Sequence, residues 1–155
     1  MTSSRPQIAA MGLAVTPPPG WEATIYRRPG TNGAITHPIL HAATLALPAD
    51  RGDYGSGVVE LLGPGDVFVS ILDFGPDAAD TPLFRSLSAV PVLTPDVYRP
   101  RQLQRTIRGQ AGVQRFFSTG GRGFCLYSVV GSMANRVMLT ARANQILGTI
   151  RVASV

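Results

Sequence analysis

The hydrophobic positions of this 155-residue chain fall into short β-rich runs separated by turn residues, and take up a helical period only near its end. Trp21 to Arg28 is β-rich and is closed by Pro29-Gly30-Thr31-Asn32-Gly33, which predicts a strand over 21–28. Residues 40–47 alternate imperfectly, as a strand buried on both faces for much of its length would. Val67-Phe68-Val69-Ser70-Ile71-Leu72-Asp73-Phe74 is the run richest in β-branched and aromatic residues, and predicts a central strand over 66–74 that Gly75-Pro76 ends. Two further β-rich runs, 113–119 and 124–130, flank Gly120-Gly121-Arg122-Gly123 and predict a hairpin.

The helical stripe comes next: Leu139, Ala143, Ile146 and Ile150 predict an amphipathic helix over 133–147, with Gly148 as its C′ residue. Shorter elements are expected at Gly12–Val15, before the stop Pro17-Pro18-Pro19-Gly20, and at Thr149–Val152. A short helix is expected over Val58–Leu62 and a short strand near Arg105-Thr106-Ile107. Between 76 and 112, Pro76, Pro82, Pro91, Pro95 and Pro100 interrupt every period. The pattern as a whole predicts a flexible leader over 1–10 and a single α+β domain over 11–155. That domain is a twisted antiparallel sheet with the C-terminal helix packed on one face, and a core including Trp21, Leu45, Phe68, Ile71, Phe116, Leu126, Leu139 and Ile146.

Composition adds that 45% hydrophobic residues suffice for a core, while 17 Gly and 13 Pro imply many turns. No apolar run is long enough to cross a bilayer as a helix, and a cytoplasmic protein is the expectation. All fourteen basic residues are Arg, as a GC-rich genome favours. Their distribution is uneven. Residues 1–96 hold five Arg against nine Asp and Glu, net −4, whereas residues 97–155 hold nine Arg and no acid, net +9.

Reaction chemistry finds little support. Cys125 stands alone in the apolar run Phe124-Cys125-Leu126-Tyr127 and reads as a small core residue. Ser118, Ser128 and Ser132 lack a nucleophile motif. His37 and His41 have a spacing that would align them on a helix, with Asp50 or Asp53 as a third zinc ligand, but Pro38 and the β-like run after it argue against that helix. Glu60, Asp66 and Asp73 offer carboxyls for acid/base work, but their spacing is that of ordinary surface acids and favours capping or solvated roles. Gly120-Gly121-Arg122-Gly123 has a phosphate loop's composition, yet a strand rather than a helix follows it, which favours a turn. No catalytic residue, metal or cofactor is expected.

The arginines carry the functional expectation. Arg99, Arg101, Arg105 and Arg108 fall within ten residues, and Arg115 and Arg122 follow on the hairpin, interleaved with Tyr98, Phe116 and Phe117. Basic and aromatic residues so mixed suit nucleic acid or anionic phospholipid, and the arginines alone suit an acidic protein surface.

The order of these segments resembles a known family. Pro19-Gly20-Trp21, the following strands, the hairpin ending in Gly123-Phe124-Cys125-Leu126-Tyr127-Ser128-Val129-Val130-Gly131, and the helix closing on Ile146-Leu147-Gly148-Thr149-Ile150 resemble the PsbP-like family. That family includes photosystem extrinsic proteins, a Ran-binding nuclear-transport factor and small bacterial domains. The resemblance implies an antiparallel sheet covered by helices and a role in binding or assembling other proteins, with no shared catalytic site to carry over. The proline-rich stretch 76–100 departs from the pattern. The combined expectation is a non-enzymatic interaction module that binds an acidic partner through Arg99, Arg101, Arg105, Arg108, Arg115 and Arg122. The alternatives are a binder of nucleic acid or anionic phospholipid, and a structural or oligomeric subunit of a larger assembly.

Overall fold

The hairpin that the glycines specify lies at the centre of the molecule. In this computed structural model, which describes residues 5–154, β7 (Ala111–Thr119) and β8 (Arg122–Val130) pair from Ala111↔Val130 to Thr119↔Arg122. The turn is Gly120-Gly121 alone, with φ of 61° and 82°, a left-handed pair that only glycine adopts without strain. Arg122 and Gly123, expected in the turn, are the first residues of β8.

On the other side of β8 lies β5 (Val67–Gly75), followed by β4 (Ile39–Ala43) and β3 (Glu22–Tyr26), all antiparallel. A two-residue strand, β6 (Arg85–Ser86), runs parallel along β7, so the six-stranded order is β3-β4-β5-β8-β7-β6. A second, three-stranded sheet is formed by β1 (Ile8–Ala10), β2 (Leu13–Val15) and β9 (Arg151–Val152). Ile8–Ala10 falls in the segment expected to be a mobile leader, but the two-residue turn Met11-Gly12 folds it back onto β2. Residues 1–4 of that leader, and residue 155, lie outside the described residues.

Period-2 alternation divides the large sheet into two buried faces. On one, Leu40, Val69, Ile71, Val113, Phe117, Phe124 and Leu126 pack beneath α1 (Arg136–Leu147) and the small sheet, with Trp21 among them. On the other, Ala43, Phe68, Tyr127 and Val129 lie under the segment 54–62 and under Leu103 and Ile107. This double cover is why every residue of β4 is buried. The helix buries Leu139, Thr140, Ala143, Ile146 and Leu147. It begins as a single 3-10 turn at Met133–Asn135, so its α-helical part is shorter than the expected 133–147. Gly148 stays right-handed at φ −65°, contrary to its expected role, because Thr149 donates its hydroxyl to Ile146 O and tightens the last turn instead.

Of the predicted core, Trp21, Phe68, Ile71, Leu126, Leu139 and Ile146 are buried. Leu45 is only half-buried at the margin of the second face. Phe116 is likewise half-buried, against Phe84 and Cys125, and its neighbour Phe117 takes the central place, stacked on Phe124 at 5.5 Å. Arg105-Thr106-Ile107 forms no strand. No described helix is long and apolar enough to cross a membrane.

Candidate functional site

The proline-rich segment that could not be read from its period wraps around the outer edge of β7. On the helix side it is clasped by Asn144, whose Oδ1 accepts from Leu93 N at 2.9 Å and whose Nδ2 donates to Leu93 O at 2.8 Å. Tyr98 is buried under the sheet and bonded to Ser128 Oγ at 2.8 Å. Arg99 then exchanges both backbone hydrogen bonds with Gly112 at the edge itself. Beyond a 3-10 turn at Pro100–Gln102, Leu103 and Ile107 tuck into the opposite core face. Gln104 N donates to the Tyr127 hydroxyl at 2.8 Å, and Gln110 Nε2 to Val59 O at 2.8 Å.

With apolar anchors at 98, 103 and 107, the residues between them face outward. Arg99, Arg101, Arg105 and Arg108 are all exposed, as is Arg115 on β7. Among the described residues only Arg105 of these five has a carboxylate partner, Glu60 at 3.2 Å. Arg99 and Arg115 share a shallow depression with Asp96, Val97, Gln102, Val113 and Gln114. The Asp96 carboxyl is held below its usual range, first by the Thr94 hydroxyl, then by its own backbone N–H and by the positive charge of Arg99 and Arg115. Between the Arg99–Gly112 bridge and the Arg85–Phe117 pair, no strand among the described residues covers the outer side of β7.

Arg122 must be removed from this group. It is buried, with Nη1 donating to Asp73 Oδ2 at 2.7 Å and Nη2 to Gly12 O at 2.8 Å, and its guanidinium lies 5.3 Å from the Phe124 ring centroid. It joins the hairpin to the β1–β2 turn and is not available to a partner. Gly12 has φ of 80°, and a Cβ there would fall within 2.9 Å of that guanidinium. Gly12→Ala is expected to cost about 1–3 kcal/mol, read as a lowered thermal midpoint.

The aromatics of the stretch also turn inward. Tyr98 and Phe117 are buried and Phe116 is half-buried, so none stands beside the arginines as a stacking platform.

The other candidate groups have structural partners. His41 is buried on the second face. Its Nδ1 accepts from Arg51 Nε at 2.8 Å, and its Nε2 lies 2.8 Å from Asp53 O, which also accepts from Ser70 Oγ. Because Arg51 can only donate, His41 is the Nε2–H tautomer and donates to Asp53 O. Both ring nitrogens are thus committed to pinning the 50–57 loop. His37 packs elsewhere, against Gly75. Asp66 caps Gly63 N and accepts from Thr44, Asp73 holds Arg122 and Gly75 N, and Glu60 accepts from Gly57 N. Burial pushes the Cys125 thiol above its usual range, the opposite of what a nucleophile needs.

Under the arginine-bearing segment lies a cavity of about 220 Å³ that the pattern of residues did not disclose. It is lined by Tyr54, Val59, Leu103, Gln110, Tyr127 and Val129, with Gly52, Asp53 and Ser56 of the pinned loop and the Glu60–Arg105 pair among its further lining residues. Residues from 52–60, 103–110 and β8 meet there only because the chain wraps the β7 edge, and no spacing in the sequence announces that. No family model, no curated protein and no solved structure matches this chain, so its arginine-bearing edge and the cavity beneath it are defined by their own geometry.

Proposed function

We propose that this chain is a non-enzymatic interaction module that engages an acidic protein surface through Arg99, Arg101, Arg108 and Arg115, with Arg105 beside them. The observation that carries the reading is the state of those guanidiniums: exposed, grouped around one sheet edge, and, for all but Arg105, without a carboxylate partner among the described residues. Each exposed pair contributes about 0.2–1 kcal/mol, so recognition requires several acting together. The rigid edge reduces the ordering cost, since the segment that bears most of them is anchored at Tyr98, Gln104 and Gln110. The inward-turned aromatics favour a protein partner over single-stranded nucleic acid, for which exposed rings supply much of the binding. A role in binding also agrees with what the PsbP-like resemblance implies.

The test is fluorescence anisotropy with a labelled oligoglutamate peptide, a single-stranded DNA and a duplex DNA, at several salt concentrations. The native chain is expected to bind the peptide, and the variant with Arg99, Arg101, Arg108 and Arg115 all changed to Ala to bind it about tenfold more weakly or worse. Equal binding by the two proteins overturns the reading. Tighter binding of either DNA, weakening steeply with salt through counterion release, replaces it with the nucleic-acid alternative.

A further inference from the structure

We propose that the cavity between the 52–60 loop and the 103–110 segment is a binding site for a small hydroxylated aromatic molecule, from a phenol to a hydroxylated fused bicycle in size. The inference does not depend on what the arginines bind. Three observations carry it.

The first is size and shape. At about 220 Å³ the space exceeds the roughly 150 Å³ of an apolar cavity that accepts benzene, leaving room for a ring with one or two substituents. The second is the character of the walls. Val59, Leu103 and Val129 give an apolar lining, and the Tyr54 and Tyr127 rings meet edge to face at 5.5 Å, the geometry aromatic side chains prefer with one another and with an inserted ring.

The third is an unmet pair of polar groups. Gln110 is almost wholly buried and lines the cavity. Its Nε2 is spent on Val59 O, and its Oε1 has no hydrogen-bond partner among the described residues. Buried acceptors left without a donor are uncommon in folded proteins and are costly where they occur. Tyr127, also on the wall, accepts from Gln104 N, and its own hydroxyl proton has no acceptor among the described residues. The lining residues therefore hold one unpaired acceptor, Gln110 Oε1, which has almost no exposed surface and is met by a ligand as the Gln110 side chain shifts, and one unpaired donor, the Tyr127 hydroxyl, in an otherwise apolar wall. A hydroxyl group both donates and accepts, so a hydroxylated ring matches the lining in both respects. The Glu60–Arg105 pair also lines the space, but it is an exposed ion pair and is readily displaced.

The experiment titrates the full chain with phenol and, separately, with toluene, which has the same shape without the hydroxyl, following backbone amide shifts by NMR. Saturable shifts centred on Gly52, Leu103, Gln110 and Tyr127 are expected, with phenol bound about fivefold or more tightly than toluene. Gln110→Met should abolish or reverse that preference. Because this substitution also removes the bond to Val59, intermolecular NOEs between the phenol ring and the Val129 methyls and Tyr127 ring in the native protein provide a second readout. No saturable binding of either probe, equal affinity for both in the native chain, or NOEs to another part of the surface would each overturn the proposal.

Discussion

Arg122→Ala is expected to remove about 3–5 kcal/mol of folding stability, because it leaves a buried carboxylate with no counter-charge. The Asp73 side chain is 1% exposed and that of Arg122 is 9% exposed, so water does not replace what is lost. Asp73 Oδ1 keeps the Gly75 N–H at 2.7 Å, but Oδ2 loses its 2.7 Å partner. The carbonyls of Met11 and Gly12, at 3.4 and 2.8 Å from the guanidinium nitrogens, lose theirs as well. Arg122 Nε is already without a partner among the described residues, which places the stabilising role on Nη1 and Nη2. At roughly 2–4 °C per kcal/mol for a chain of this length, the thermal midpoint should fall by about 10 °C, measured by circular dichroism. The double variant Arg122→Met with Asp73→Asn should be less destabilised than Arg122→Ala, since it removes both charges while keeping an acceptor for Gly75 N. A loss under about 1 kcal/mol in the single variant would show that Arg122 is not the staple between the hairpin and the β1–β2 turn.

The same residue shows where reading the sequence succeeds and where it stops. Gly120-Gly121 specified the hairpin, because two consecutive left-handed residues leave few other structures open to the chain. The alternation in β5 and β8 and the helical stripe at Leu139, Ala143 and Ile146 were legible for a comparable reason: each element buries a face whose period is set by its own backbone. Arg122 was misread as solvent-facing because its partner, Asp73, lies 49 residues earlier, on a strand that becomes a neighbour only once the sheet has formed. Choosing Phe116 over Phe117 for the core was a one-residue error of phase, which in a strand moves a side chain to the other face.

The stretch 76–112 was opaque for a different reason. Its course is set by isolated anchors and side-chain-to-backbone clasps, such as Asn144 on Leu93 and Tyr127 on Gln104, whose partners lie far along the chain. No local period records them. Arg99, Arg101, Arg105, Arg108 and Arg115 are exposed because the apolar anchors between which most of them lie, Tyr98, Leu103 and Ile107, turn inward instead. Gln110 and the cavity were missed entirely, because a single buried amide is conspicuous only when its second polar atom is found without a partner.

His41 should make the stability of this chain fall as the solution is acidified from neutral pH. Burial against Phe68 and Tyr26 lowers its pKa to about 4, and the positive charges of Arg51 and Arg28 act in the same direction, outweighing the opposing influence of Asp53. The geometry explains the direction. A second ring proton would have to sit on Nδ1, where Arg51 Nε already donates at 2.8 Å, so protonation turns a hydrogen bond into a clash of donors. Above the unfolded value of about 6.5, neither the folded nor the unfolded chain holds the proton and the contribution to stability is complete. As the pH drops from there toward the folded value, the unfolded chain takes up a proton that the folded one refuses, so unfolding is favoured. Between about pH 7 and about pH 4.5 the loss assignable to this residue is roughly 2–3 kcal/mol. Urea unfolding of the native chain and of His41→Gln across that interval separates it from the carboxylates, which titrate in both proteins. The native chain should lose the additional 2–3 kcal/mol or so over the range and the variant should not. Identical slopes would mean that His41 takes up its proton as readily in the folded chain as in the unfolded one, and that the Arg51 bond to Nδ1 does not keep the ring neutral.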